Sequence, residues 1–287
     1  MILPALVRAG RPRQWVKNVL VVAGPLAAGA PIGQAAVAVL IAFVCFSLSA
    51  SGVYLINDVL DVEADRLHPR KRFRPIAAGE VAKSTAVVTG TILLIVSPVL
   101  ALVTGRWQLA ILMVVYELLQ LAYCLWLKHI AVVDLAVVAS GFLLRAVAGG
   151  LAAHITLSPW FLLVASFGSM FMVAGKRYSE VHLLGEGADA TRRSLQDYSA
   201  SYLRFVWGMA GSATLTFYSL WAFSLIRSTP VWAEISVAPF VVALLRYAVD
   251  IDRGAAGEPE TIVMNDRVLQ AVGLVWLACF VVSVVVG

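Results

Sequence analysis

Nine stretches of about 20 mostly apolar residues constrain this chain more than any other feature, because a helix of that length crosses the hydrocarbon core of a bilayer. Hydrophobic residues make up 61% of the chain and charged residues only 14%. We therefore predict an all-α, polytopic membrane bundle of nine transmembrane helices, built as a single integral-membrane domain over residues 1–287. The stretches span residues 18–34, 36–56, 84–103, 107–127, 130–150, 159–175, 204–226, 230–250 and 268–286. The first is the weakest, since Gly24, Pro25, Gly29 and Pro31 interrupt it.

Basic residues fall almost entirely on one set of connections between these stretches. Because cytoplasmic loops are enriched in Lys and Arg, these connections and the N-terminus are predicted to lie in the cytoplasm. We expect a multi-pass protein of the cell inner (plasma) membrane. The formal net charge of +5 is then explained by topology, and no nucleic acid partner is expected. The basic connections are residues 8–17, 66–83, 128–129, 176–204 and 246–267.

Two of the predicted cytoplasmic connections are long and polar. We call residues 57–83 the first polar cap and residues 176–204 the second polar cap. Each follows an even-numbered apolar stretch, so both are predicted at the same, cytoplasmic face. Polar segments of this length on an apolar bundle are the places where a soluble substrate could bind, so we predict that they are catalytic caps.

Aligned acids open the first polar cap. On a helix, Asp58, Asp61 and Asp65 share one face, and Asn57 nearly joins them. Like charges stacked in this way repel one another, which a chain tolerates when a divalent cation neutralises them. Mg²⁺ prefers oxygen ligands and usually shares its site with waters and substrate phosphates. A solvated loop between two membrane helices would also be basic, but it would rarely carry aligned acids.

Basic residues follow these acids directly, at Arg70, Lys71, Arg72 and Arg74. Guanidinium and ammonium groups in such a cluster are suited to phosphate. An acidic face followed by a cationic cluster predicts a site for a Mg²⁺-bound diphosphate. His68, between the two, could donate a hydrogen bond to that diphosphate.

Other polar residues leave two interpretations open. Lys17 begins the first apolar stretch, where it either meets a phosphate or serves as ordinary cytoplasmic charge. Lys128 ends the fourth stretch, where a basic residue also complements the helix dipole. Lys176 and Glu180 are four residues apart and either pair with each other or open a phosphate- or sugar-binding cap.

Ionisable residues also occur inside the apolar stretches, where they mark function or a paired partner. Arg145 lies roughly 20 Å from the cytoplasmic end of its predicted helix, too deep to reach the interface by simple extension. We consider both a structural pair with Glu117 and a role in binding a lipid phosphate. Asp134 and Asp250 are two further acids in such stretches, and Asp250 could pair with Arg246.

These motifs together resemble the UbiA superfamily of intramembrane prenyltransferases. Asn57, Asp58, Asp61 and Asp65 match its first aspartate-rich motif, and the nine-helix layout matches over the whole chain. The second polar cap departs from the usual pattern, because Lys176, Arg177, Tyr178 and Glu180 stand where a second aspartate-rich motif is expected. Further matches to one branch are Arg11-Pro12-x-Gln14-Trp15-x-Lys17-Asn18, Arg66-x-His68-Pro69-x-Lys71-x-x-Arg74-Pro75-Ile76-Ala77-x-Gly79, Gly141-Phe142-x-Leu144-Arg145, Arg246-Tyr247, Pro259-Glu260 and Asp266-Arg267.

That branch implies Mg²⁺-dependent transfer of 5-phosphoribose from 5-phosphoribosyl 1-diphosphate to decaprenyl phosphate, as a step toward cell-wall arabinogalactan and lipoarabinomannan. By resemblance, Asp58, Asp61 and Asp65 are catalytic, and Asn57, Asp58 and Asp61 hold the metal. Tyr54 and Arg145 are expected at the lipid phosphate. The expected donor-binding residues are Lys17, His68, Lys71, Arg74, Lys128, Lys176, Arg177, Tyr178 and Glu180.

Two other functions remain as alternatives. A UbiA-type prenyltransferase would move a polyprenyl chain from its diphosphate to an aromatic acceptor at the same metal site. A transporter would use the intramembrane acids, but the acids here cluster in a surface cap rather than at mid-membrane. Small residues such as Ala146, Gly149 and Gly150 could serve helix contacts within the chain or in a homo-oligomer.

Overall fold

The computed structural model describes residues 2–30, 32–184, 197–224, 231–257 and 259–285. Within these ranges the chain is helical, which confirms the all-α prediction. Residues 185–196 of the second polar cap, residues 225–230 and the predicted end of the last span lie outside the described residues. The α-helices are α1 (Ile2–Ala9), α2 (Ala23–Ala27), α3 (Ile32–Leu60), α4 (Val62–Leu67), α5 (Lys83–Val103), α6 (Trp107–Leu125), α7 (Val133–Ala152), α8 (Pro159–Leu184), α9 (Ala200–Ser224), α10 (Val231–Ile235), α11 (Val237–Asp252), α12 (Pro259–Asn265) and α13 (Arg267–Val285). Short 3₁₀ helices cover Pro12–Val22, Lys71–Phe73 and Leu127–His129.

Five of the described helices, α3 and α5 to α8, are long and apolar enough to cross a membrane. Helix α13 is apolar but shorter in its membrane-like part. The predicted helix over 18–34 is not continuous: a 3₁₀ helix leads into the five residues of α2, and Gly29 then adopts a left-handed conformation with φ 71°. Pro25 and Gly29 account for this break, because proline restricts the preceding turn and glycine admits positive φ.

The chain forms two compact units. The first contains Met1–Pro25, Ala30–Leu127 and Leu144–Thr156, and the second contains Leu26–Gly29, Lys128–Leu143 and Leu157–Gly287. Each unit has its own buried apolar core.

In the first unit, α3 packs along α5 at a pair of glycines. A Cβ atom on Gly52 would lie 2.9 Å from the backbone oxygen of Gly90, and one on Gly90 would lie 3.1 Å from that of Gly52. Small residues let two helix backbones approach in this way. Gly52 is five residues before Asn57, so this contact fixes the direction from which α3 enters the first polar cap.

We expect Gly52→Ala to destabilise the first unit. Alanine favours a helix over glycine by about 1 kcal/mol, but forcing a methyl group against a backbone oxygen typically costs about 1–3 kcal/mol. Thermal unfolding in detergent, followed by circular dichroism, should therefore show a lower midpoint. Gly208→Ala is the matched control, because a Cβ at Gly208 meets no atom within 4 Å; equal midpoints for both variants would contradict the close approach.

A further apolar cluster and a second close backbone approach position the polar residues of the first unit. Ala5, Leu55, Ile76 and Val81 are buried together, so α1 and the first polar cap share one core. A second close approach joins α7 to the 3₁₀ helix, where a Cβ on Gly149 would lie 1.7 Å from the backbone oxygen of Val21. Gly149 is thus used for a contact within the chain.

The second unit is built mainly on α8 packed against α9. Its core contains Leu135, Phe171, Tyr178, Leu203 and Ile251, which brings the beginning of α7 and the end of α11 against α8. Ser179 of α8 accepts the backbone N–H of Ala256 at 3.0 Å, so the segment after α11 is tied to the helix that opens the second polar cap.

Candidate functional site

The acidic motif lies where α3 ends and α4 begins. Asn57 and Asp58 are in the last turn of α3, Asp61 is the junction residue with φ −92° and ψ 5°, and Asp65 lies in α4. The backbone N–H of Asp61 still donates to Asn57 at 2.9 Å, and that of Asp65 donates to Asp61 at 2.8 Å. Because the helical hydrogen bonds continue through the junction, the acids keep the spacing that the sequence predicts.

The three aspartates nevertheless fall into two groups. Asp61 is half-buried, and its Oδ2 accepts a hydrogen bond from Asn57 Nδ2 at 3.1 Å. The side chains of Asp58 and Asp65 are only 2% and 4% exposed and lie against arginines. The sequence presents these acids as equivalent, whereas the structure buries Asp58 and Asp65 against arginines and leaves Asp61 half-buried beside Asn57.

We call Arg11, Arg74, Asp58 and Asp65 the guanidinium clamp. Arg74 Nη1 donates to Asp65 Oδ2 at 2.6 Å and to Asp58 Oδ1 at 3.1 Å. Arg11 Nη2 donates to the same Asp58 oxygen at 2.5 Å. Charge-assisted hydrogen bonds of this length are the strong ones in proteins, and here both carboxylates are shielded from water.

The Asn57–Asp61 pair has the donor chemistry that Mg²⁺ requires. Mg²⁺ is commonly held by one or two protein oxygens, with waters and substrate phosphates completing its octahedron. Within the described ranges no group of three His, Cys, Asp or Glu side chains is arranged to hold a metal. A fully protein-built cage is therefore not what this region offers, and a shared metal–substrate site fits the two oxygens present.

The loop after α4 is shaped by the imidazole of His68. His68 Nδ1 accepts the backbone N–H groups of Arg70 and Lys71 at 3.1 and 3.3 Å. When Nδ1 of a neutral imidazole accepts a hydrogen bond, the proton of the ring is on Nε2. The Nε2–H group can therefore donate to a diphosphate, as the sequence predicts. The turn then places Arg74 on the acids, and Gly79, at φ 79°, permits the bend toward α5.

Exposed ion pairs surround this loop. Glu63 accepts Lys83 Nζ at 3.0 Å and Arg66 Nη1 at 3.2 Å, and Arg8 pairs with Glu80. The hydrogen bond from Lys83, followed by the charge of Arg66, lowers the pKa of the Glu63 carboxyl below its ordinary value. Glu63 thus lies in the same segment as the aligned aspartates, but it faces solvent and forms surface ion pairs.

The two residues predicted at the lipid phosphate lie in different surroundings within the first unit. The Arg11 guanidinium lies over the Tyr54 ring, 4.7 Å from its centroid, which connects Tyr54 to the clamp. Arg145 is buried: its Nε donates to Asn18 Oδ1 at 2.8 Å and its Nη2 to the Tyr116 hydroxyl at 3.1 Å. The same guanidinium lies over the rings of Phe46 and Tyr116.

Glu117 is buried near the middle of α6 and forms a hydrogen bond with the hydroxyl of Ser49. Ser49 also bonds Ser97 at 2.8 Å, so the acid lies in a chain of hydroxyl groups between α3, α5 and α6. Lys17 and Lys71 of the same unit, and Lys128 of the second unit, are half-buried.

In the second unit, the start of the second polar cap is an internal network. Arg177, 4% exposed, donates from Nε to the fully buried Asp134 at 3.2 Å and from Nη1 to Glu180 at 2.7 Å. The Tyr198 hydroxyl bonds the other Asp134 oxygen and accepts the backbone N–H of Val132 at 2.6 Å. Burial, reinforced by Asp134, raises the pKa of Tyr198, so its hydroxyl stays protonated and donates.

Tyr178 and Lys176 differ from Arg177 in what they meet. The buried Tyr178 hydroxyl accepts Arg204 Nη2 at 2.7 Å, and Arg204 also pairs with Asp252 at 3.0 Å. Lys176 is half-buried and makes no ion pair with any residue that the structure describes. Of the basic residues that open this cap, Lys176 is therefore the one available to a phosphate.

Sequence reasoning missed several partners that complete these networks. Arg11 and Asn18 occur in the motif that carries the resemblance, but their contacts with Asp58 and Arg145 join residues 47 and 127 positions apart. The sequence marks Asp134 only as an acid at membrane depth and Arg204 only as a basic residue at the end of the second polar cap.

Comparison with known proteins places these observations in a family context. A sequence model of the UbiA prenyltransferase family matches residues 18–265. The decaprenyl-phosphate phosphoribosyltransferase of Mycobacterium tuberculosis is 52% identical, with 100% of this chain and 96% of that protein aligned. The protein of the same name from Mycolicibacterium smegmatis is 51% identical, with 96% of this chain and 91% of that protein aligned.

A solved structure gives the corresponding likeness in three dimensions. A UbiA homolog from Archaeoglobus fulgidus, bound to GPP and Mg²⁺, superposes with a TM-score of 0.72 and covers 99% of this chain and 100% of that one. The sequence identity is 16%, so this likeness is one of fold.

Proposed function

Because the chain belongs to the UbiA prenyltransferase family, we propose that it is a membrane transferase that moves 5-phosphoribose from 5-phosphoribosyl 1-diphosphate to decaprenyl phosphate. The observation that carries this proposal is the identity of about half of all residues, over the full chain, with two mycobacterial phosphoribosyltransferases. The product would be decaprenylphosphoryl 5-phosphoribose, with diphosphate released, and we propose a role in arabinogalactan synthesis.

We propose that Asn57 and Asp61 hold Mg²⁺ together with the donor diphosphate. The bound ion would supply Lewis-acid stabilisation of the charge that develops on the leaving group. Asp58 and Asp65 act differently in this proposal: they position Arg74, and through Asp58 also Arg11, beside the metal-binding pair. Lys71 and the Nε2–H of His68 are the other phosphate donors proposed in the first polar cap.

The chemistry needs no protein base at the nucleophile. The phosphate of the lipid already carries a negative oxygen at neutral pH, and this oxygen forms the new bond to ribose C1. The bond between C1 and the diphosphate oxygen breaks, and its electron pair leaves with the diphosphate. Attack from the opposite face predicts inversion at C1. We propose that Tyr54 and Arg145 serve the acceptor, and Lys17 a donor phosphate.

In the second unit we propose that Lys176 and Lys128 bind donor phosphate. Arg177, which donates to both Asp134 and Glu180, would hold in place the turn of α8 that carries Lys176. Tyr178 would do the same through its hydrogen bond with Arg204. These roles follow from burial and partners, since a buried guanidinium with two carboxylate partners is already committed.

The membrane topology is part of the proposal. Nine spans, a cytoplasmic N-terminus and both polar caps at the cytoplasmic face of the plasma membrane remain predictions from hydropathy and from basic residues in the loops. A single domain over residues 1–287 and a homo-oligomer also stay predictions. Cysteine-accessibility labelling of single-cysteine variants at Arg13 and Arg106 would test the orientation, since the prediction places these residues on opposite sides.

The decisive experiment supplies purified protein in detergent with Mg²⁺, decaprenyl phosphate and radiolabelled 5-phosphoribosyl 1-diphosphate. Metal-dependent entry of label into the organic phase, abolished by a chelator, is the expected result. Folded protein that leaves all label in the aqueous phase would contradict the proposal. A parallel reaction with a polyprenyl diphosphate and an aromatic acceptor tests the prenyltransferase alternative.

We expect Lys176→Ala to raise the KM for 5-phosphoribosyl 1-diphosphate by about tenfold or more, because a charge-assisted hydrogen bond contributes roughly 1.5–3 kcal/mol. The KM for decaprenyl phosphate should change much less. Initial rates at varied concentrations of each substrate give both constants. Lys83→Ala is the control, since Lys83 pairs with Glu63 at the surface; a larger effect on the lipid KM would show that Lys176 serves the acceptor instead.

A further inference from the structure

A cavity of about 820 Å³, widely open to the surface, lies in the second unit beside the C-terminal part of α11 and the start of α13. Its volume is in the range of small-molecule binding sites. Two guanidinium groups and two carboxylates line it, so their formal charges cancel. The polar lining residues are Arg246, Asp250, Asn265, Asp266 and Arg267.

Asp266 is fully engaged within the protein. Its Oδ1 accepts the backbone N–H groups of Val268 and Leu269 at 2.9 and 3.1 Å, and its Oδ2 accepts Arg246 Nε at 2.6 Å. The N–H of Leu269, followed by Arg246, lowers the pKa of Asp266, so this carboxylate is ionised at neutral pH. Asp266 therefore holds Arg246 at the cavity through the Nε edge of the Arg246 guanidinium.

Asp250 is not satisfied in the same way. Its Oδ2 is shielded from solvent and accepts no hydrogen bond from the residues that the structure describes. A carboxyl oxygen without a donor is costly where water does not reach it, and Asp250 also lines the cavity, so a rotation of its carboxyl onto a ligand hydroxyl gains free energy on binding. Arg246, four residues earlier on α11, already supplies positive charge near Asp250. A neutral hydroxyl donor is favoured over a second cation there.

We propose that this cavity binds a phosphorylated polyol, with its phosphate on Arg246 and Arg267 and a hydroxyl group on Asp250. Guanidinium groups match phosphate oxygens in geometry and charge. Ile262 and Val268 add apolar lining that suits the carbon face of a polyol. The headgroup of a phosphoinositol lipid and a soluble phosphopolyol share this chemistry. The site takes no part in the transfer proposed above, and its test measures binding without turnover.

The test uses the full chain and two probes. Equilibrium binding of inositol 1-phosphate in detergent measures the soluble source, and thermal stabilisation in phosphatidylcholine nanodiscs with and without phosphatidylinositol measures the lipid source. We expect Arg267→Gln and Asp250→Asn each to weaken binding about tenfold. Arg253→Gln is the matched control, because Arg253 is an exposed arginine at the end of α11 that does not line the cavity.

Each outcome decides the proposal or its source. Binding of inositol 1-phosphate that the two cavity variants weaken supports a soluble phosphopolyol. An effect of the same variants that occurs only in phosphatidylinositol nanodiscs supports a lipid headgroup. The proposal is overturned if the wild-type protein responds to neither probe, if Arg253→Gln weakens binding equally, or if phosphoethanolamine binds more tightly than inositol 1-phosphate.

Discussion

Asp61→Ala is expected to lower the rate of phosphoribosyl transfer by at least about 10³-fold, which corresponds to roughly 4 kcal/mol of transition-state stabilisation. Asp61 is the only aspartate of the aligned motif that pairs with Asn57, and in the proposed site its carboxylate is an oxygen ligand of Mg²⁺. The measurement is label transferred into the organic phase per enzyme, across a Mg²⁺ titration. Added metal should not restore the rate.

Glu63→Ala is the matched control for this result. Glu63 lies two residues from Asp61 but is exposed and pairs with Lys83 and Arg66. The Glu63→Ala variant should keep most of the wild-type transfer activity, and both variants should unfold at nearly the wild-type temperature. If Asp61→Ala transferred phosphoribose as fast as Glu63→Ala, Asp61 would not be a metal ligand. The proposed difference in role between Asp61 and the other two aspartates would then be wrong.

The largest structural effect is expected from Arg74→Met. This substitution leaves Asp65, 4% exposed, without its guanidinium, while Asp58 retains Arg11. Breaking one side of a buried ion pair typically costs about 3–5 kcal/mol, because the remaining charge stays buried. For a chain of this size the midpoint of thermal unfolding should fall by roughly 6–20 °C. Differential scanning fluorimetry in detergent measures this shift.

Two companion variants separate this effect from a general loss of charge. Arg70→Met removes an exposed arginine of the same loop and should leave the midpoint nearly unchanged. Arg74→Met combined with Asp65→Leu should recover part of the lost stability, because no orphaned carboxylate then remains at position 65. A double variant less stable than Arg74→Met alone would mean that Asp65 has another essential contact.

Much of the fold follows from local signals in the sequence. Long apolar stretches predicted the helices α3 and α5 to α8, since their length and hydropathy are properties of contiguous residues. The spacing of Asn57, Asp61 and Asp65 survives the junction between α3 and α4 because the i to i+4 hydrogen bonds continue. The prediction of a single helix over the first apolar stretch was wrong, because Pro25 and Gly29 interrupt the helix although the surrounding residues are apolar.

The candidate site was only partly predictable, because partner choice depends on contacts far apart in sequence. Nothing local distinguishes Asp58 from Asp61, yet Arg11, 47 residues away, selects Asp58. From the sequence, Arg177 is predicted to bind phosphate at the surface next to Lys176. In the structure Arg177 is buried and pairs with Asp134, 43 residues earlier. Charge and spacing therefore predicted which segments carry the polar clusters, while tertiary packing determined the partner of each side chain within them.

The guanidinium clamp has a practical consequence for handling the protein. Arginines, which stay protonated throughout the usual working range, neutralise the two buried acids of the first polar cap. We therefore expect this cap to stay folded when divalent ions are removed, unlike small domains whose carboxylates collapse only around a cation. The protein could then be purified and stored without divalent ions, and the Mg²⁺ proposed for the transfer could be added at the time of assay.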